Sequence, residues 1–187
     1  MISLTQLWLP ILLSAVAVFF ASSLIHMVFK WHQSDYFKLA NEDDVRAVIR
    51  AANAPPGLYL IPHVLEGAEC KKPEVLSKFA EGPVGFITLR PVGPPSIGKP
   101  LVQWFALIVV VAVVVAALAA WTLPKNASFM TVTTIVGAIT LLAYATGGPI
   151  NGIWMGKPWR SAFKEVLDGL VYAVVTALVF AWLWPRG

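Results

Sequence analysis

Four long apolar runs limit the folds open to this chain more than any other feature of its sequence. They cover approximately residues 7–29, 101–123, 127–147 and 166–184. A helix needs about 20 apolar residues to cross the hydrocarbon core of a bilayer, and each run is close to that length. Because a backbone in lipid must satisfy its own hydrogen bonds, the runs predict an all-α membrane protein, a bundle of four transmembrane helices.

The composition agrees with that interpretation. The chain is 58% hydrophobic and only 13% charged, which is typical of a membrane protein and unlike a soluble domain. The net charge of +4 comes from scattered residues, so we predict no nucleic-acid partner. The single cysteine, Cys70, excludes an internal disulfide and a cysteine-based metal cluster.

The apolar runs divide the chain into three parts. Residues 1–29 form the first transmembrane helix, residues 30–100 form a cap and linker, and residues 101–187 form a region of three transmembrane helices. We expect the first run to remain as an anchor, because no basic region precedes it and Lys30 follows it in place of a cleavage site.

Charge asymmetry predicts how the helices are oriented. Nine Lys and Arg residues lie in 30–100 and three in the third connection, against Lys125 and Arg186 on the other side. Under the positive-inside rule, the cap and the third connection are cytoplasmic. We therefore predict a multi-pass protein of a bacterial-type inner membrane, with both termini on the non-cytoplasmic side.

The cap has its own pattern of elements. NEDDVRAVIRAAN predicts a helix capped by Asn41, and EVLSKF predicts a second helix that Pro73 opens. GLYLIP, just before His63, and GPVGFITLRP predict two strands. The expected result is a small α+β cytoplasmic cap between the first and second transmembrane helices.

Two histidines flank the end of the first run. If its helix continues, His26 and His32 lie six positions apart, or about 240° around the axis, and cannot reach a common ion. We therefore predict no metal site. His26 alone could ligate a haem or a chlorin, but we favour an imidazole bonded to a neighbouring helix or to water, so no cofactor is predicted.

The last run contains one ionisable residue and one stripe of small residues. Asp168 is expected at the start of the fourth helix, with Lys164 as its partner. Small residues recur every four positions and predict a close helix-packing interface. These residues are Gly169, Ala173, Ala177 and Ala181.

No catalytic motif is present, so the sequence predicts no catalytic residues and favours a role other than that of an enzyme. The expected function is an accessory or scaffolding subunit of a larger membrane complex, with the lipid bilayer and other membrane subunits as partners. The first alternative is a haem- or pigment-binding redox or photosynthetic subunit that uses His26. The second alternative is a small transporter.

Overall fold

The computed structural model describes residues 2–186, and the chain divides into two compact units. The helical unit contains the described residues up to 36 and from 96 onward. The cap unit contains residues 37–95.

The helical unit contains four helices that are long and apolar enough to cross a membrane. The first, Leu4–Phe29, consists of a 3₁₀ turn, helix α1 (Trp8–Ser23) and a π-helical end. The other three are built from α4 (Gly98–Thr122), from α5 (Phe129–Ala145) followed by α6 (Gly147–Met155), and from α7 (Trp159–Trp182). The predicted set of four apolar helices is confirmed.

The fourth helix begins earlier than predicted. Its first residue is Trp159, not residue 166. Asp168 therefore lies in the third turn of α7 instead of at its start. The expected position of Asp168 at the start of the helix is therefore wrong, and the favourable effect of the helix dipole, which is confined to the first turn, does not reach it.

Large apolar side chains cover the outside of these helices. Exposed members include Trp8, Phe20, Leu142 and Trp182. A water-soluble protein rarely exposes apolar surface on this scale, so the fold suggests a multi-pass membrane protein.

The stripe of small residues on α7 lies inside the helical unit. Gly169, Ala173, Ala177 and Ala181 are all buried. A Cβ added at Gly169 would come within 2.9 Å of the backbone nitrogen of Ala145, so α5 approaches α7 closely there. The stripe thus faces a helix of the same chain.

The cap unit contains the elements predicted for it. Helix α2 (Glu42–Ala51) precedes strand β1 (Gly57–Ile61), and helix α3 (Pro73–Glu81) precedes strand β2 (Gly85–Leu89). The strands pair antiparallel in a two-stranded sheet.

One detail of the cap unit differs from prediction. Asn41 precedes α2 as expected, but its side chain makes no capping hydrogen bond, because its backbone is not in the extended conformation of a capping residue. His63 lies beyond the end of β1 and is exposed.

Candidate metal centre

The first apolar helix ends in a tight reversal of the chain. Its last part, Leu24–Phe29, is a π-helix, a form that occurs often at functional sites. Lys30 then adopts a left-handed conformation (φ 54°, ψ 21°), and its backbone N–H donates to the carbonyl of Ile25 at 3.1 Å. The chain continues as a 3₁₀ turn, Trp31–Asp35.

This reversal brings the two histidines together. The rings of His26 and His32 stack, with 4.9 Å between their centroids and 9° between their planes. The prediction that they cannot reach a common ion is therefore wrong, because it assumed a regular α-helix that continues to His32. With Asp168 they form a group whose potential ligand atoms all lie within 4.8 Å of one another.

Every ring nitrogen of the two histidines faces an oxygen atom. Nδ1 of His26 lies 3.0 Å from the carbonyl oxygen of Ser22, and Nε2 lies 3.9 Å from Oδ2 of Asp168. Nδ1 of His32 lies 3.0 Å from Oδ2 of Asp35, and Nε2 lies 2.8 Å from the same Oδ2 of Asp168. Both Nε2 atoms therefore lie within 3.9 Å of the same carboxylate oxygen.

Lys164 holds Asp35 in place. Its ammonium group donates to Oδ1 of Asp35 at 2.6 Å, to the carbonyl of Trp31 at 2.8 Å and to Oγ of Ser34 at 2.9 Å. The expected pairing of Lys164 with Asp168 is wrong, because the 3₁₀ turn supplies all three acceptors. The Lys164 hydrogen bond lowers the pKa of Asp35 to about 2, against the opposing effect of burial.

The acceptor beside each Nδ1 atom favours the tautomer that is protonated there. The carbonyl of Ser22 can only accept, and so can the ionised carboxylate of Asp35. A neutral His26 is therefore protonated at Nδ1, and its Nε2 carries the free electron pair. A neutral His32 that donates from Nδ1 to Asp35 likewise carries its free electron pair on Nε2. At His32 that pair faces Asp168 at 2.8 Å, so two acceptors meet unless a proton or a metal cation lies between them.

The buried carboxylate of Asp168 has few polar partners. Only 5% of the residue is exposed, and its Oδ1 atom has no hydrogen-bond partner within residues 2–186. The neighbouring charges are already paired, Lys164 with Asp35 and Lys157 with Glu165. An ionised Asp168 is therefore left facing His26 and His32, and a buried charge requires a positive partner.

Two cavities border the cluster. The smaller, about 220 Å³, is lined largely by polar residues of the 3₁₀ turn and the start of α7. The larger, about 580 Å³, lies among the apolar helices. His26 and Glu165 line both cavities, so the cluster stands where they meet.

The site contains one of the residues that the sequence analysis selected and several that it did not. His26 belongs to it, and the packing stripe begins beside it at Gly169. His32, Asp35 and Asp168 were not selected. The available signal was Asp168 itself, because a carboxylate within an apolar helix is rare and usually functional.

No protein-family model matches the chain, and no curated protein or solved structure matches it significantly either.

Proposed function

We propose that this protein is a multi-pass membrane protein that binds a divalent first-row transition metal ion through His26, His32 and Asp168. One observation supports the proposal above all others: Nε2 of His32 and Nε2 of His26 lie 2.8 Å and 3.9 Å from one oxygen of the buried Asp168 carboxylate, whose other oxygen has no hydrogen-bond partner within residues 2–186. Two imidazoles and one carboxylate are a common ligand set for Zn²⁺ and Fe²⁺.

The hydrogen bonds behind the ligands support the same assignment. Histidines that ligate metals almost always donate their second N–H to a carbonyl or a carboxylate, which fixes the ring and its tautomer. His26 has such an acceptor in Ser22, and His32 has one in Asp35. Each ring is therefore oriented for coordination before the ion arrives.

The distances require only small side-chain movements. A tetrahedral ion with bonds of about 2.0–2.1 Å keeps its ligand atoms about 3.3–3.4 Å apart. Oδ2 of Asp168 lies 2.8 Å from Nε2 of His32 and 3.9 Å from Nε2 of His26, so it is too close to one ring and too far from the other by similar amounts. A small movement of the Asp168 carboxyl group away from His32 and toward His26 changes both distances in the required direction.

A compact ion fits this arrangement better than a macrocycle does. The rings of His26 and His32 are stacked face to face, whereas two histidines that ligate a haem lie on opposite sides of its plane. With three protein ligands, the ion keeps an open position for water or substrate, as catalytic sites do. The proposal thus favours a metal ion over the alternative of a haem or a chlorin at His26.

The membrane setting is part of the proposal. The charge asymmetry supports an inner-membrane orientation with both termini outside the cytoplasm, which puts the metal site near the cytoplasmic surface. The lipid bilayer is then the immediate partner of the apolar helices. The accessory-subunit and small-transporter functions stay predictions, since no specific contact within residues 2–186 favours either.

Cobalt binding tests the metal site directly. The full-length chain, purified in mild detergent and treated with chelator, is titrated with Co²⁺, whose visible absorption bands report its ligands. We expect saturable binding of a single ion, and displacement of that ion by Zn²⁺ with loss of the bands.

Substitutions with matched controls complete that experiment. Asp168→Asn keeps the shape of the side chain but removes the charge, so we expect the Co²⁺ bands to disappear; His32→Ala should have the same effect. His63→Ala and Asp44→Asn, both at exposed positions of the cap unit, should leave binding unchanged. Binding that survives Asp168→Asn and His32→Ala would refute the proposed ligands.

A further inference from the structure

The larger cavity beside the cluster has the shape and lining of a ligand site. Its volume is about 580 Å³, within the usual range for small-molecule pockets, about 300–1,000 Å³. Its walls come from the end of the first apolar helix, the start of α4, the junction of α5 and α6, and the middle of α7. His26 and Asp168 form part of its wall, so a molecule in this cavity touches the proposed metal site.

The position of the cavity indicates how a ligand enters. Met27 and Leu107 line it and are 63% and 51% exposed. Both belong to helices that are apolar enough to lie in lipid, so the opening faces the hydrocarbon layer. A ligand that enters there must be lipid-soluble.

Three aromatic rings form the inner wall. Tyr144 and Tyr172 pack edge to face at 5.3 Å between centroids, and Trp104 lies 6.1 Å from each of them. The indole N–H of Trp104 donates to Oγ of Ser22 at 3.1 Å, which fixes that ring. Rigid aromatic walls favour a flat ring, which can make offset or edge contacts with them.

The charges on the wall indicate a neutral headgroup. Asp168 and Glu165 are the acidic residues that line the cavity, and no Lys or Arg is among its described lining residues. A phosphate or carboxylate headgroup would meet Glu165 without a basic partner on this wall. An uncharged oxygen can instead enter the open position of the metal ion beside Asp168.

We infer that this cavity binds the ring of a lipid-soluble quinone or quinol, with one ring oxygen directed at the metal ion held by His26, His32 and Asp168. The inference rests on the proposed metal site. The flat ring fits the wall of Trp104 and the two tyrosines, and the isoprenoid or alkyl tail leaves past Met27 and Leu107.

The test uses a benzoquinone with a ten-carbon tail and an azido group as the probe. The full-length chain in detergent is loaded with Co²⁺, irradiated with the probe, and digested for mass spectrometry. We expect crosslinks in peptides that contain Trp104, Tyr144 or Tyr172, and a change in the Co²⁺ bands when the unmodified quinone is added. A saturated long-chain alcohol should compete poorly, and equal competition would refute a site specific for a ring.

A pair of neighbouring substitutions provides the control. Ala143 lines the cavity, whereas Leu142 is exposed and does not line it. Ala143→Phe should weaken probe binding by about tenfold or more, since it fills the space of the ring; it should leave Co²⁺ binding intact. Leu142→Phe should change neither.

The readouts separate the two proposals. If Co²⁺ binds but the probe gives no crosslinks at the aromatic wall, the quinone inference is refuted and the metal site remains. If Co²⁺ does not bind, the metal proposal is refuted, and with it the metal–oxygen contact. If crosslinks form at the aromatic wall and Ala143→Phe removes them, the ring site is supported whether or not Co²⁺ binds.

Discussion

Nε2 of His32 lies 2.8 Å from Oδ2 of Asp168, although 136 positions of the chain separate the two residues. His32 reaches Asp168 because the chain reverses at Lys30 and because Lys164 of α7 binds the turn that contains His32. The contact therefore depends on both ends of the helical unit. A change at either end should be measurable in metal binding.

The first prediction concerns Asp35, whose carboxylate accepts a hydrogen bond from Nδ1 of His32. Asp35→Asn removes the charge that orients and polarises this ring. We expect the affinity for Co²⁺ to fall by about 10–100-fold, the usual effect of losing a partner behind a metal ligand, while the stoichiometry stays the same. Co²⁺ titration of the purified variant measures the change.

Asp43→Asn provides the matched control for that experiment. Asp43 is an exposed acid in the cap unit that pairs with Arg46, so its loss should not affect Co²⁺ affinity. Equal affinities of both variants would show that Asp35 does not position His32.

The second prediction concerns the left-handed residue Lys30. A β-branched side chain tolerates this conformation poorly. Lys30→Val should therefore destabilise the fold by about 1–2 kcal/mol and weaken Co²⁺ binding, because the turn no longer holds His32 in position. Lys30→Gly should stay close to the parent protein, since glycine adopts positive φ readily.

Thermal melting and Co²⁺ titration of both variants check this prediction. If the valine and glycine variants have the same melting temperature and the same Co²⁺ affinity, then neither the fold nor the metal site requires a left-handed backbone at residue 30.

The sequence predicts the helices well because lipid imposes a simple requirement on them. Any segment that crosses hydrocarbon must be predominantly apolar, and the four runs meet that condition. The sequence predicts the ends of the helices less reliably. Helix α7 includes Trp159 to Lys164, which precede the apolar run. These residues are aromatic, basic or small, so hydropathy alone does not predict that they are helical.

The histidine cluster could not be derived from helical periodicity. Its formation needs a π-helix before Lys30 and a left-handed Lys30, and neither has a recognisable sequence signal here. The contact with Asp168 is tertiary, since it joins the first helix to the last. The small residues of α7 illustrate the same limit, because their spacing predicts close packing but does not identify α5 as the partner.

The third prediction concerns orientation, and it uses cysteine labelling in intact cells. In a Cys70→Ser background, single cysteines are placed at Ser3, Ser77 and Lys125. The positive-inside rule predicts that an impermeant maleimide labels the first and third positions but not Ser77 of the cap unit. Permeabilised cells should label all three, which controls for accessibility, and labelling of Ser77→Cys alone in intact cells would reverse the orientation.

The last prediction concerns the close packing of α7 on α5. Lipid provides no hydrophobic drive between helices, so their contact depends on backbones that approach closely at small residues. Ala177 is 1% exposed, and its Cβ lies 3.5 Å from the position that a Cβ at Gly137 would occupy. Ala177→Leu should therefore destabilise the helical unit by about 1–3 kcal/mol through overpacking. Val174→Leu is the control, because it enlarges a side chain that is 49% exposed. The melting temperature of this variant in the same detergent should stay near that of the parent protein. Equal losses of melting temperature in the two variants would contradict the observed helix contact.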